Sequence, residues 1–277
     1  MLYRQFKNKL FFWTVCLFSF LAVLPLVLIL GYLLWQGVSA LNWQFFTRLP
    51  QPLGEAGGGI ANAIIGTGVL LSIAFALAVP WGLLAGIYLA ENRRTGLADF
   101  ARWCVEILQG MPSVVLGVVL YAWLVRPFRS FSALSGGAAL GLMMLPVIVR
   151  TTEETFKMIP PALKEAALAL GVPYYRTILR VLLPAGLSGI INGVLLSLAR
   201  VVGETAPLLF TAFGSPFLSV NLFQPIESIP HLIFYYAASP YAQWHQLAWC
   251  ASLVLVLGVL VLNLSAKLLS RRWRVRF

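Results

Sequence analysis

Five stretches of this chain carry no Asp, Glu, Lys or Arg: residues 10–35, 60–90, 107–125, 133–149 and 247–266. Each reaches the roughly 17–25 apolar residues that an α-helix needs to cross the hydrocarbon core of a bilayer. A sixth stretch, residues 185–210, is equally apolar except for Arg200 and Glu204. Hydrophobic residues make up 60% of the chain and charged residues 10%, against roughly 45–50% and about 25% in soluble domains. No water-soluble core needs that much apolar surface, so the surplus must face lipid. The pattern predicts an all-α, polytopic membrane protein with about six transmembrane helices.

The net charge of +11 invites a nucleic-acid reading, but its distribution argues against one. Sixteen of the twenty basic residues fall in alternate segments between the spans: Arg4, Lys7, Lys9; Arg93, Arg94, Arg102; Arg150, Lys157, Lys164, Arg176, Arg180; and Lys267, Arg271, Arg272, Arg274, Arg276. The intervening loops hold only Arg48, Arg126 and Arg129. Under the positive-inside rule both termini are cytoplasmic, and the excess charge serves topology and attraction to the lipid bilayer, with no nucleic acid as partner. Val38-Ser39-Ala40 could end a signal peptide, but the 26-residue apolar run before it exceeds the usual ~7–15. The first helix is therefore read as retained. Cys16, Cys104 and Cys250 have neither metal spacing nor a pairing pattern and read as packing residues.

The chain divides into an N-terminal helix with an extracytoplasmic loop (1–59), a transmembrane domain (60–268) and a basic cytoplasmic tail (269–277). Gly57-Gly58-Gly59 reads as a flexible lead into the second span, and residues 91–106 as a short cytoplasmic loop. Gly110-Met111-Pro112-Ser113 predicts a local kink in the third span. The loop of residues 214–246 has no Lys or Arg and many aromatics, which predicts a re-entrant or interfacial helix. His231 and His245 within it read as surface residues.

Residues 150–183 form the longest polar stretch. Pro160-Pro161 can open a helix, and Gly171 with Pro173 can close it. Leu163, Ala166, Ala167 and Leu170 then share one small apolar stripe. A second helix is expected from about Tyr174 to Pro184. Glu165-Ala166-Ala167, Gly171 and Val181-Leu182-Leu183-Pro184 resemble the EAA loop of bacterial ABC importer permeases, with Val181 in place of Ile. The resemblance implies that this helix pair docks into a groove on an ATPase subunit. The residues agree, since the two alanines permit close approach, Gly171 a tight turn, and Glu165 a pair with a partner's Arg. The residues alone equally allow an amphipathic helix lying on headgroups.

A charge inside a span costs about 2.5–3.5 kcal/mol on insertion scales and marks a functional candidate. Projected at helical pitch, Gly189, Gly193, Ser197, Arg200, Glu204 and Thr211 cluster on one face. Pro207 would leave the Gly203 carbonyl unpaired beside them. The run Arg200–Pro207 is similar to the A-type permease of the bacterial phosphate-specific transport system. So are residues 62–67, 83–91 and the segment 145–154 containing Arg150, within a resemblance covering about residues 42–268.

That resemblance implies a type I ABC importer fold and a role for Arg200 and Arg150 in passing phosphate; Glu204 is a pathway candidate from its place one helical turn from Arg200 on the same face. The resemblance also implies several partners: a homologous C-type permease, a cytoplasmic ABC ATPase dimer, an extracytoplasmic phosphate-binding protein, and the bacterial cytoplasmic (inner) membrane. From the residues alone, Arg200 and Glu204 could instead form an intrahelical ion pair that locks packing, and Arg150 could simply pair with Glu153 or Glu154. Another oxyanion such as sulfate or molybdate, or a self-sufficient secondary carrier, stays open.

No Gly-Lys-Ser/Thr loop, metal cluster or nucleophile set is present, so no cofactor is expected in this chain and ATP and Mg belong to the partner ATPase. The charge split predicts that cysteines placed at positions 50 and 230 label only from outside the cell, and those at 157 and 272 only from inside. Outside labelling at 272 would mean a miscounted span.

Overall fold

The computed structural model describes residues 2–39, 41–52, 57–92 and 95–272. Ala40, Arg93, Arg94 and residues 273–277 of the expected basic tail lie outside the described residues. The described residues form helices and no strand. In chain order these are α1 (Leu2–Val38), α2 (Trp43–Thr47), α3 (Ala61–Glu91), α4 (Gly96–Gly110), α5 (Ser113–Phe128), α6 (Ala133–Met158), α7 (Pro161–Ala169), α8 (Tyr174–Val201), α9 (Ala206–Thr211), α10 (Ile229–Ala237) and α11 (Ala242–Arg272). Five of them, α1, α3, α6, α8 and α11, are long and apolar enough to cross a membrane, and α4 with α5 makes a bent sixth candidate.

The third span departs from expectation. Instead of a kink, α4 and α5 meet at 107°. Pro112 has no N–H to donate and forces Met111 into an extended conformation (φ −71°, ψ 135°), so the helix stops and restarts. Residues 96–110, expected to be largely loop, instead form a helix whose N-terminus is capped by Thr95, its Oγ1 accepting from Ala98 N at 3.4 Å.

The expected stop at Pro184 is also absent, and α8 runs on from Tyr174 to Val201. Residues Ile178–Leu182 make a π-helical turn, with Leu183 N–H bonded to Ile178 O. That wider turn precedes Pro184, which sits where the following α-helical segment begins. The proline's missing donor thus falls at a change of register. Gly59 is likewise no flexible lead. A Cβ there would lie 2.5 Å from Arg48 O, and Gly59 N donates to Leu49 O. The glycine is needed for close approach.

The core sits on α6. Its contacts with α3 advance in step, Ile73 with Gly137, Gly82 with Ile148 and Gly86 with Thr152, so the two helices run parallel with their backbones close. Small residues at a helix interface allow this approach where lipid offers no hydrophobic drive for association. On its other flank α6 meets α8, where Gly189 and Gly193 face Thr155 and Thr151. These threonines return their hydroxyls to the α6 backbone, at 2.8 Å to Val147 O and 2.6 Å to Thr151 O. Leu70, Ala74, Leu140, Met144, Ile148 and Val194 fill the space between the three helices.

α1 stands apart, with Phe11, Trp13 and Phe18 exposed. It touches α11 through the Tyr32–Trp249 ring pair (5.2 Å) and a bond from Cys250 Sγ to Gly37 O (3.0 Å). The aromatic loop does contain a short helix, α10, held by a Ser228 cap and joined to α11 by the stacked Tyr236–Trp244 pair.

The α3–α6 contact generates a paired prediction. Gly86→Leu would place a Cβ 2.5 Å from Thr152 Cβ, whereas a Cβ at Gly68 meets nothing within 4 Å. In detergent, Gly86→Leu lowers the melting temperature by an amount equivalent to roughly 1–3 kcal/mol of overpacking. Gly68→Leu leaves it unchanged or raised, and equal effects of the two would refute the interface.

Candidate functional site

The helix pair α7–α8 builds the first candidate region. Pro161 stands in the first turn of α7, where an absent N–H costs nothing. Gly171, at φ +76°, closes the helix in a left-handed turn that other residues enter only with strain. Its N–H donates to Leu168 O (2.9 Å) and that of Val172 to Ala167 O (3.2 Å), the paired bonds of a Schellman motif. The motif spacing read from the sequence thus serves a real turn.

The expected apolar stripe is divided. Leu163 and Ala167 face the chain's own core, Ala167 being only 8% exposed, while Ala166 and Leu170 point outward, Leu170 at 84%. Closing the hairpin consumes half of the arc that i, i+3, i+4 and i+7 positions cover. What remains outside for a partner is Glu165, Ala166, Leu168 and Leu170.

Charged residues that sequence reasoning did not single out tie this end of the bundle together. Glu153 on α6 is nearly buried and accepts from Arg102 Nε of α4 (2.9 Å) and Lys157 Nζ (2.6 Å). Arg102 also reaches Asp99 (2.8 Å) and Leu89 O (2.9 Å). Two cations and a carboxylate that share hydrogen bonds satisfy the condition on which a buried charge is tolerated. Glu91, at the end of α3, accepts from Lys164 Nζ on α7 and from Tyr174 Oη on α8 (2.5 Å). The available signal was a carboxylate at the edge of a charge-free run, although its partners lie 73 and 83 residues away. Arg150 pairs with Glu154 at 3.4 Å, both half exposed or more. Such a pair is worth about 0–1 kcal/mol.

Around Arg200 the expectation of one continuous helical face fails. α8 ends at Val201, residues 202–205 leave the helix, and α9 begins at Ala206. Pro207 lies in the first turn of α9, where its missing donor is harmless. The break is partly covered: Val201 and Val202 are buried and line a small cavity with Leu70 and Leu140, whereas Gly203 is exposed. Gly193 and Ser197 of the expected polar face are buried, with Gly193 against α6.

Arg200 is exposed in the last turn of α8, where a cation opposes the negative end of the helix dipole. Glu204 is half-buried in the break, with its N–H bonded to Val201 O (3.1 Å). Among the described residues no ion pair joins them. The intrahelical lock is therefore not formed.

At the opposite end a pocket of about 560 Å³ is lined by Gln51, Phe217, Glu227, His231, Tyr235 and Trp244, among others. His231 is not a surface residue. Its Nδ1 lies 2.7 Å from Glu227 Oε1, with both side chains 12% exposed. His245 is exposed, as expected, and contacts Ser239 O. Among the described residues no three His, Cys, Asp or Glu side chains converge as a metal site.

Residues 82–275 match the family described as binding-protein-dependent transport system inner membrane component. The phosphate transport system permease protein PstA of Yersinia pestis is 43% identical over 245 residues, covering 88% of this chain and 83% of that protein. Its counterpart in Pasteurella multocida is 39% identical over 266 residues, covering 96% and 95%. Two solved structures share the fold. An inward-facing MetNI methionine ABC transporter has TM-score 0.65 at 20% identity over 78% of this chain and 98% of that one. A bacterial transporter that imports the polysaccharide alginate has TM-score 0.64 at 16% identity over 98% of both. With the predicted turn formed and both comparisons agreeing, the chain belongs to the binding-protein-dependent transport system inner membrane components, as a multi-pass ABC importer permease of type I fold.

Proposed function

We propose that this chain is the permease subunit that carries inorganic phosphate through an ATP-driven importer of the bacterial cytoplasmic membrane, with both termini in the cytoplasm. The observation that carries this reading is its similarity, over most of both chains, to phosphate transport system permeases. Those relatives weigh against sulfate or molybdate as cargo. A self-sufficient carrier would have no use for the outward-facing α7 turn.

One chain of this size encloses no path for a hydrated anion, so a second, C-type permease completes the pathway. A pair of cytoplasmic ATPases binds and hydrolyses ATP with Mg and docks at Glu165, Ala166 and the Gly171 turn. Pro184 follows the π turn that lets the docking hairpin continue into α8. An extracytoplasmic phosphate-binding protein delivers the ion at the other end.

Alternating access supplies the mechanism. The ATPase dimer closes, the docked hairpins move, and the break after Val201 exposes Arg200 to one side and then the other. A helix interrupted inside a membrane protein is tolerated where it lines a cavity, and such breaks mark binding positions. The fork of Arg200 matches phosphate oxygens bidentately. Glu204 can accept a hydrogen bond from a protonated phosphate oxygen but repels fully ionised sulfate, so the two together favour phosphate. Arg150, on the α6 surface and paired among the described residues with Glu154, offers a second cation along the route.

Labelled phosphate uptake in proteoliposomes holding the whole complex, with sulfate as competitor, tests this. Arg200→Gln lowers uptake by about tenfold or more, the weight of a charged hydrogen bond, while the complex still assembles. Glu204→Gln narrows the preference for phosphate over sulfate. Normal uptake in Arg200→Gln would remove it from the pathway.

Docking is tested separately by ATPase pull-down. Gly171→Leu strains the φ +76° turn without creating a clash, and Ala166→Arg alters the outward face. Both abolish association while the chain stays in the membrane, and intact pull-down by both would refute the docking site. Ala167→Arg is unsuitable here because Ala167 is buried within the chain's own fold.

A further inference from the structure

We infer that Glu91 is a positioning residue that carries the movement of the α7 turn into α3, and through α3 into the α6 core. The inference rests on the importer reading above but concerns a part of the molecule that neither the EAA spacing nor the Arg200 break identifies.

Glu91 closes α3 and is mostly buried, its side chain 13% exposed. One oxygen, Oε2, accepts both from Lys164 Nζ, one residue before Glu165 on α7, and from Tyr174 Oη, the first residue of α8. The two donors come from opposite arms of the Gly171 turn, so a single carboxylate brackets both halves of the docking hairpin. Lys164 also sits 5.1 Å over the Tyr174 ring, which closes the triangle.

The position is costly for an acid. A carboxylate at a helix C-terminus faces the negative end of the dipole, and burial removes its water. It is stable there because the cation and the phenol meet it, so the hairpin and the end of α3 hold one another in register. α3 is in turn bound to α6 along the glycine contacts at Gly82 and Gly86. Displacing the hairpin therefore has a stiff polar route into the two best-packed helices, in addition to the covalent route into α8.

The test uses the complete complex in proteoliposomes and reads two quantities: phosphate imported per ATP hydrolysed, and the distance between spin labels at Leu168 on the hairpin and Leu84 on α3, with and without nucleotide. In the native protein the label distance stays constant as nucleotide binds. In Glu91→Gln and Lys164→Gln the ATPase still binds and hydrolyses ATP, imported phosphate per ATP falls by about tenfold, within the usual range of coupling between sites, and the label distance becomes nucleotide-dependent. The exchange variant, Glu91→Lys with Lys164→Glu, restores both readouts. A merely structural pair would change stability and leave the import ratio alone. Native-like ratios in both single variants, or an assembled exchange variant that stays uncoupled, would overturn the inference. Failure of the phosphate reading alone would appear differently, as no phosphate uptake by the native complex while the label distances still respond to the substitutions.

Discussion

Inside hydrocarbon every peptide N–H and C=O must find its partner within the protein, because each one left bare costs several kcal/mol. The architecture follows from that constraint. It makes the spans helical, and it requires each departure from the helix to be accommodated locally. The break at residues 202–205 adjoins a cavity lined by Leu70 and Leu140. The π turn before Pro184 and the stop before Pro112 accommodate a proline in contrasting ways, by a change of register and by ending the helix. The same residue type therefore yields a continuous span in one place and a bend of 107° in the other.

The second determinant is backbone proximity. With lipid as apolar as the side chains, helices gain little by merely burying leucine, and the gain comes from fit. The α3–α6 and α6–α8 contacts achieve fit by setting glycines against Ile73, Ile148, Thr151, Thr152 and Thr155. The glycines of α8 that read from the sequence as one side of a polar path are spent largely on this packing. What that face leaves exposed at its end is Arg200.

Electrostatics at the α7 end has a different character. Glu91 and Glu153 are carboxylates enclosed by cations and hydrogen-bond donors from several helices, whereas the Arg150–Glu154 pair lies open on the surface. Enclosed networks fix relative positions, and open pairs leave their members available. The distinction separates groups held within the bundle from those that stay open at its surface.

Much of this was legible in the amino-acid sequence, and for identifiable reasons. Charge-free runs of spanning length can only be membrane helices, so α1, α3, α6 and α11 were readable, as was the α7 turn, whose proline and glycine act within a few residues of themselves. A short helix in the aromatic loop, α10, was also expected. The side on which Ala167 faces, the ending of α8 at Val201, the bend after α4, and the pairing of Glu91 and Glu153 were not readable. Each depends on which residues distant in the chain arrive next to it, and helical periodicity cannot say whether a small polar face will meet lipid, water or a neighbouring helix. The sequence by itself determined that the chain has about six spans and carries the α7 turn closed by Gly171. The tertiary structure alone decided which polar groups are consumed in holding the helices together and which, like Arg200, stay exposed, because only the packed neighbours settle where each charge is satisfied.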